Sequence, residues 1–239
     1  METRLDPRLA CAAQFVRQGA VFADIGTDHA YLPIALVQRN AVLRAVAADV
    51  AQKPLESARA HLAVSAEENP ALRDRIDLVL TDGLAGLEHY SPHITDIAIC
   101  GMGGELIARI LSDAPFVRDP DIRLILQPIT MQPYLRRWLG ANGFETTAER
   151  LCRTANGKLY SVLCVQYTGN VNVPCDADAL LGEKILSDSE NRDFLREYLL
   201  LRRENLAKIV SGRTSAGQGA ECTAEAAALA RAEELLVEM

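Results

Sequence analysis

The chain has 239 residues, of which 49% are hydrophobic and 24% are charged, and these fractions predict a folded domain rather than a disordered chain. No apolar run approaches the roughly 18 residues that a membrane-spanning helix needs, and the formal net charge of −7 speaks mildly against a nucleic-acid partner without excluding a local basic face. The six cysteines are scattered, with no CxxC pair and no histidine at ligand spacing, which predicts reduced thiols, a cytoplasmic location and no zinc site.

The first predicted elements are a short helix, a buried strand and a second helix. Asp6-Pro7 precedes an amphipathic stretch, which predicts a helix that is capped by Asp6 and stopped at Gly19. The apolar run 20–23 predicts a strand, and the segment 32–37, with a proline near its first turn, predicts a helix.

The turn between that strand and that helix is rich in polar side chains. It carries Asp24, Gly26, Thr27, Asp28 and His29. A strand-to-helix turn directs backbone N–H groups and the positive end of the helix at the crevice beyond the strand. A phosphate site would need glycines and a lysine here, so the carboxylates favour a positively charged or polyhydroxylated ligand.

Strands and helices then alternate along the chain. Strands are predicted at 44–50, 75–80, 96–100 and 123–128, and helices at 54–66, 105–111 and 133–142. Two further strands, 144–152 and 158–167, flank Asn156-Gly157, which is a strong hairpin signal. The alternation predicts an α/β fold with a doubly wound parallel sheet, and the hairpin adds an antiparallel edge.

A helical tail follows Thr168. After a linker at 169–177, helices are predicted at 179–187, 191–210 and 222–238, with a flexible turn at 212–219. The chain is therefore expected to divide into an α/β domain, residues 1–168, and a small α-helical, coiled-coil-like domain, residues 169–239.

Acidic residues and glycines also end the next three predicted strands. Asp49 ends the second strand, Asp82-Gly83 follows the third, and the turn 101–104 (Gly-Met-Gly-Gly) follows the fourth. Ligands bind outside the carboxyl ends of parallel strands, where Asp49 can bind both hydroxyls of a ribose and Asp82 can accept from an adenine amine. The set fits a nucleoside that bears a cation, such as S-adenosylmethionine, better than a pyrophosphate.

Each of these residues has a plainer interpretation when it is taken alone. Asp24 and Asp82 could cap the helices that follow them, and the glycine turn could serve packing only. His61, His89 and His93 are expected to be surface or loop residues. The joint placement of acids at three successive strand ends favours a ligand site, because helix caps alone rarely produce it.

Three segments together resemble the bacterial tRNA adenine-22 N1-methyltransferase family, TrmK: 23–33 with the string DIGTDHAYLP, the turn 101–104, and 124–128. The resemblance implies a class I methyltransferase (Rossmann-like) fold, S-adenosylmethionine as methyl donor without a metal, and N1 of an adenine in tRNA as acceptor. Two positions depart from the family pattern, since Ile129 stands where Asn is usual and Cys100 where Ala is usual. The expected donor site comprises Asp24, Gly26, Thr27, His29, Asp49, Asp82, Gly83, Gly101, Met102 and Gly103.

Asp28 is the candidate catalytic residue. Positive charge develops on adenine when N1 takes up a methyl group, and a carboxylate at the ring edge would stabilise that charge or accept a proton from the N6 amine. Asp28 lies on the turn that faces both donor and acceptor, as the resemblance also implies, and Tyr31 could flank the base. No Asn-Pro-Pro-Tyr motif follows the fourth strand, which favours a ring nitrogen as acceptor. N1 lies on the pairing edge, so a paired adenine must first be extruded.

Basic side chains for RNA phosphates are predicted on the first helix and on the C-terminal helices. Arg4, Arg8 and Arg17 are expected to border the pocket. A plainer alternative for the C-terminal arginines is a solvated face, paired at i,i+4 spacing with acids such as Glu190 and Glu197. The candidates for tRNA binding are Arg8, Arg192, Arg196, Arg202 and Arg203.

Two other functions stay open at the level of sequence. A methyltransferase of the same fold could act on a small molecule or a protein, or the chain could be a non-catalytic module that keeps a nucleoside pocket. An NAD-dependent oxidoreductase is disfavoured because the GxGxxG turn is absent. No membrane contact and no obligate protein partner is expected.

Overall fold

The computed structural model describes residues 3–216 and 222–239, and a single sheet lies at its centre. The seven strands of this sheet are β1 Ala20–Ile25, β2 Val42–Asp49, β3 Ile76–Leu80, β4 Asp96–Gly103, β5 Arg123–Thr130, β6 Phe144–Arg153 and β7 Leu159–Tyr167. Their order in the sheet is β3-β2-β1-β4-β5-β7-β6. Strands β1 to β5 run parallel, and β7 runs antiparallel between β5 and β6.

Helices cover both faces of the sheet. The helices are α1 Pro7–Phe15, α2 Tyr31–Gln38, α3 Gln52–Glu68, α4 Leu72–Arg75, α5 Gly104–Ser112, α6 Gln132–Ala141, α7 Asp176–Leu181, α8 Glu183–Ser187, α9 Arg192–Ser215 and α10 Thr223–Glu238. On one face, Val21, Ala23 and Ile25 of β1 pack into a core with α5 and α6. On the other face, Phe22 packs with α1, α2 and α3. The doubly wound sheet with an antiparallel edge is confirmed, because helices bury alternate side chains of the central strands on both sides.

The first helix and the glycine-rich segment 101–104 differ in part from their sequence predictions. Asp6 caps α1, since its Oδ1 accepts from the backbone N–H groups of Arg8 and Leu9 at 2.8 and 3.0 Å. Helix α1 ends at Phe15, earlier than the predicted stop at Gly19. The predicted turn 101–104 is instead the irregular end of β4, whose pairing with β5 shifts register around Met102.

The C-terminal helices differ from the predicted ones in two places. The predicted helix 179–187 is broken into α7 and α8 at Gly182, which has a φ of +83°. Helix α9 continues through Gly212 to Ser215, so the predicted turn is wrong over 212–215, and its residues 217–219 lie outside the described residues. Helices α9 and α10 pack through buried Leu199, Leu206, Ala228 and Ala232.

A buried ion pair joins these helices to the edge of the sheet. Arg136 of α6 donates from Nε and Nη2 to both carboxylate oxygens of Glu149 on β6, at 3.0 and 2.6 Å, and from Nη1 to the Ala179 carbonyl at 2.7 Å. Asn191 continues the contact, because its Oδ1 accepts from the Leu151 N–H at 2.6 Å and its Nδ2 donates to the Glu149 carbonyl at 2.8 Å. Deleting the tail would leave buried polar groups of the sheet unpaired, so point substitutions test the tail more cleanly.

Over residues 3–216 and 222–239, no helix combines the length and the apolar character that crossing a bilayer requires.

Candidate active site

The carboxyl edge of the sheet brings together the acids that end β1 and β2. Asp24 pairs with Ala47 on β2 and Ala98 on β4, and Asp49 lies at the end of β2 beside Leu80 of β3. The negative charge of Asp49 is close enough to raise the pKa of Asp24. The predicted meeting of these two carboxylates at one edge is therefore present in the structure.

Asp24 is a buried carboxyl, only 6% exposed. Its Oδ2 accepts from the Thr27 hydroxyl at 2.7 Å, and Thr27 is itself buried. Burial raises the pKa of Asp24 to about 6, the Thr27 hydrogen bond opposes that rise, and the Asp49 charge adds to it. Asp24 does not cap a helix, because α2 begins at Tyr31 after Ala30, so the plainer interpretation of Asp24 is wrong.

Asp49 and Asp82 occupy the adjoining part of the edge. Asp49 uses Oδ1 to accept from the Ala51 N–H at 2.8 Å, and its Oδ2 forms no hydrogen bond within the described part of the chain. Asp82 is exposed in the turn after β3, where no α-helix follows for it to cap. Gly83 has a φ of +58°, and a Cβ there would press on Ile110 of α5 at 3.1 Å.

The turn after β1 depends on one glycine. The N–H groups of Gly26 and Thr27 both donate to the Ala48 carbonyl of β2, each at 2.9 Å. Gly26 has a φ of +74°, and a Cβ on it would lie 2.2 Å from Met102 Cε. The positive φ therefore favours glycine at this position, whereas the Met102 methyl is the flexible end of its side chain and could move aside.

The next residues of this turn adopt left-handed conformations without being glycine. His29 has a φ of 59° and Ala30 a φ of 52°, which costs of order 1–3 kcal/mol each. The Asp28 side chain is 82% exposed and its Oδ1 lies 3.4 Å from His29 Nε2. The strained backbone of this turn thus holds an exposed carboxylate at the carboxyl edge of the sheet.

Aromatic rings pack beside Asp28, and one of them comes from outside the turn. The Tyr31 ring lies 5.5 Å from the His29 ring and 4.7 Å from the His61 ring. His61 belongs to α3, and its Nδ1 lies 2.7 Å from the His29 carbonyl oxygen. His61 lies on a helix and not in a loop, and it is half-buried rather than fully exposed. No local sequence signal indicates its contact with the turn, because that contact arises from helix packing.

The glycine-rich end of β4 is held by a side chain from β5. The Gly101 N–H donates to Gln127 Oε1 at 3.0 Å, and Gln127 is only 1% exposed. Gly103 caps α5, and a Cβ on Gly104 would lie 2.5 Å from the Met131 carbonyl oxygen. Gln127, a polar residue at the end of the predicted fifth strand, therefore supports the segment 101–104 through Gly101.

An apolar rim surrounds the crevice on the side of β5. Ile129, Met131 and Tyr134 are each about two-fifths exposed, as is Tyr31 at the start of α2. Met131 has a φ of 56°, another left-handed non-glycine residue. These side chains offer flat or flexible apolar surface near the carboxyl ends of β1 and β5.

The predicted basic residues separate into two groups. Arg8 lies at the carboxyl edge, with its guanidinium 5.6 Å from the centre of the Tyr160 ring and 3.0 Å from Asp6 Oδ2. Arg17 lies at the opposite end of the sheet, where it pairs with Asp96 at the start of β4 at 2.9 Å. The expectation that Arg17 borders the pocket is therefore wrong, because α1 spans the height of the sheet.

The arginines of α9 also differ in their surroundings. Arg202 donates to the Leu180 carbonyl of α7 at 2.7 Å, so its guanidinium is used in packing rather than offered to a ligand. Arg192 and Arg196 are exposed and Arg203 is half-buried, and none of them forms an ion pair within residues 3–216 and 222–239. Glu197, a predicted partner for this face, pairs with Arg153 of β6 instead.

A cavity of about 510 Å³ lies away from this edge, and none of the predicted site residues lines it. Its walls come from the 168–175 segment, α6, β6 and α8, including the already paired Arg136 and Glu149. The site is therefore assigned from the strand ends and not from cavity size.

Comparisons with known proteins agree with this geometry. A family model described as a methyltransferase domain matches residues 5–163. The chain is similar to the tRNA (adenine(22)-N(1))-methyltransferase of Bacillus subtilis, with 32% identity over 82% of this chain and 81% of that protein. The structure of the B. subtilis tRNA methyltransferase TrmK superposes with a TM-score of 0.77 at 27% identity, covering 98% and 97% of the two chains. Streptococcus pneumoniae Sp1610 in complex with S-adenosyl-L-methionine superposes with a TM-score of 0.78 at 32% identity, covering 98% and 100%.

Proposed function

The chain belongs to the family of tRNA (adenine(22)-N(1))-methyltransferases, and we propose on that basis that it transfers a methyl group from S-adenosylmethionine to N1 of adenine 22 in tRNA. The observation that supports this most strongly is the placement of three carboxylates along one edge of the sheet. Asp24 is buried, Asp49 is half-buried and Asp28 is exposed. A cationic nucleoside and a base that becomes cationic both call for carboxylates at that place.

The donor-binding role rests on the first two acids and the glycines. Asp24 keeps Oδ1, and Asp49 keeps Oδ2, without a hydrogen bond among the described residues, so each can accept from a ligand. Gly101 has open space where a Cβ would lie, so a ligand can approach its backbone closely. These groups fit the ammonium, ribose and sulfonium of S-adenosylmethionine. We assign donor binding to the ten residues predicted from the sequence, with Gln127 supporting the segment 101–104.

The acceptor role falls to Asp28 and Tyr31. The bound donor supplies an electrophilic methyl carbon, and its transfer moves a positive charge onto the adenine ring. Asp28, exposed on its turn, stabilises that charge or accepts a hydrogen bond from the N6 amine. Tyr31, held between two histidine rings, offers a rigid face on which the extruded base stacks.

The RNA-binding role is assigned to the carboxyl edge beyond β5. Helix α9 starts beside the end of β6, because Asn191 accepts from Leu151, and the hairpin that follows Arg153 lies at that same edge. Four strand spacings separate β1 from β6, which is roughly 19 Å along the sheet. Arg8, Arg192, Arg196 and exposed Lys158 thus border one path that leads to the catalytic turn. Residues 1–168 then form the methyltransferase domain, and residues 169–239 form a helical domain that binds tRNA in the cytoplasm.

Reversing two charges on α9 is expected to weaken tRNA binding selectively. An Arg192→Glu/Arg196→Glu variant should raise KM for tRNA by about 10–100-fold at low salt, and lower the slope of log KM against log salt by about 1–2, because two phosphate contacts are lost. The affinity for the donor, measured by calorimetry, should not change. The matched control is Arg73→Glu/Arg118→Glu, which makes the same change in net charge at exposed sites near the opposite end of the sheet. Equal effects in the two variants would refute a role for α9.

A transfer assay separates this function from its alternatives. The protein is incubated with isotopically labelled S-adenosylmethionine and, in parallel, with unfractionated tRNA, with a protein extract freed of nucleic acid, and with a small-molecule extract. The proposal expects label in the tRNA alone, as 1-methyladenosine after digestion to nucleosides. Label in protein or small molecules would favour another methyltransferase of this fold, and donor binding without any transfer would favour a non-catalytic module.

A further inference from the structure

The catalytic turn is braced by a histidine from a different part of the chain. We propose that His61 of α3 is a positioning residue for Asp28 and Tyr31, so that its removal lowers the rate of methyl transfer far more than it weakens donor binding. This inference rests on the proposed function, and it assigns to His61 a role that neither the motifs nor the strand-end pattern supplies.

Two separate contacts link His61 to the turn. Its Nδ1 lies 2.7 Å from the His29 carbonyl oxygen, and since a carbonyl can only accept, Nδ1 carries the hydrogen and donates. Its ring lies 4.7 Å from the Tyr31 ring at an interplanar angle of 55°. One side chain therefore holds the backbone just after Asp28 and also the ring that is proposed to stack on the base.

The turn needs such a brace because its own chemistry does not fix it. His29 and Ala30 both have positive φ angles, and Ala30 precedes α2 without a side-chain cap. Among the described residues, His29 is the only ion-pair or hydrogen-bond partner of the Asp28 side chain, with His29 Nε2 3.4 Å from Asp28 Oδ1. A hydrogen bond to the His29 carbonyl opposes relaxation of this strained backbone, which would swing Asp28 away from its position.

Helix α3 is itself anchored at the donor site. Its first residues follow Asp49, whose Oδ1 accepts from the Ala51 N–H at 2.8 Å. Three turns later the same helix places His61 against the turn after β1. One rigid helix thus connects the acid assigned to the donor ribose with the residues assigned to the acceptor base.

Three substitutions separate the hydrogen bond from the ring contact. His61→Ala removes both, His61→Asn keeps an N–H near the position of Nδ1, and His61→Phe keeps a ring against Tyr31 but has no donor. We expect His61→Ala to lower kcat for tRNA methylation about 10–100-fold, since small misplacements of catalytic groups have effects of that size. The donor Kd should stay within about threefold. His61→Asn should restore most of the lost kcat, and His61→Phe should restore less of it.

A second readout follows the turn without using activity. Hydrogen exchange, measured by mass spectrometry on the full chain, should rise in the peptide spanning 26–34 for His61→Ala, remain near wild type for His61→Asn, and stay unchanged elsewhere. His89→Ala, at an exposed histidine of the 3₁₀ turn Leu87–His89, is the matched control and should match wild type in both measurements.

Wild-type kcat in His61→Ala would overturn the inference whatever the exchange shows, as would wild-type exchange in the peptide 26–34, or rescue by Phe but not by Asn. A wild-type protein that does not methylate tRNA would instead overturn the proposed function, and the exchange measurement would still decide whether His61 holds the turn.

Discussion

An Asp28→Asn variant is expected to lose methyl transfer to tRNA by about 10²–10⁴-fold in kcat, the range found when a positioned acid or base group is removed. The amide keeps the size of the side chain and removes its charge, so the developing positive charge on adenine is no longer stabilised. The Asp28 side chain is 82% exposed, and His29 is its only ion-pair or hydrogen-bond partner among the described residues, so the substitution should not disturb the fold. Single-turnover rates at saturating donor and tRNA measure the effect on the chemical step.

The donor affinity of Asp28→Asn should stay within about threefold of wild type, because Asp24 and Asp49 are assigned to the donor. Asp74→Asn is the matched control, since Asp74 is an exposed acid of α4 that lies before β3 and so away from the carboxyl edge. It should retain full activity. An Asp28→Asn protein with wild-type turnover would remove Asp28 from the mechanism.

An Asp24→Asn variant should gain stability while it loses the donor. Burial raises the pKa of Asp24 to about 6 in the folded protein from 3.8, so the folded state binds a proton more tightly than the unfolded state. The resulting stabilisation is fully present below pH 3.8 and is lost as the pH rises through about 6. At pH 8 the ionised carboxylate therefore lowers the free energy of unfolding by on the order of 3 kcal/mol, and asparagine avoids that cost.

Thermal unfolding of both proteins without donor checks this prediction. Asp24→Asn should melt several degrees above wild type at pH 8, and the difference should shrink towards pH 4. Calorimetry at pH 7.5 should show donor binding weakened by about 100-fold or more, the usual size for a buried charge that loses its partner. Donor binding by wild type should also weaken as the pH falls below about 6. Unchanged donor affinity in Asp24→Asn would contradict the assigned role.

The sequence was sufficient for the sheet and for the acids along its edge, because both depend on local patterns. Apolar runs that alternate with helical stretches imply parallel strands, and polar residues directly after such strands must share one edge. Asp6 as a helix cap and the hairpin at Asn156-Gly157 were predictable for the same reason. Each of these sequence patterns lies within a few residues of the structural feature that it predicts.

The features that were missed depend on contacts between distant segments. His61 reaches His29 across 32 residues, and Gln127 reaches Gly101 across 26, so neither leaves a local pattern. Gly212 lies inside α9 despite the low helix propensity of glycine, and beside it Arg213 pairs with Glu225 of α10 at 3.1 Å, a contact between segments that no local pattern indicates. The sequence does not distinguish Arg202 from Arg196 and Arg203, yet its position on α9 directs its guanidinium towards α7.

The most direct test of the central assignment is to locate the transferred methyl group within one tRNA. A transcript with adenine at position 22 is incubated with the protein and methyl-deuterated S-adenosylmethionine, and its digestion fragments are analysed by mass spectrometry. A second transcript differs only by guanine at that position. The proposed function predicts one deuterated methyl group on N1 of adenine 22 in the first transcript and none in the second. Equal labelling of both transcripts, or a label on another atom of the base, would contradict it.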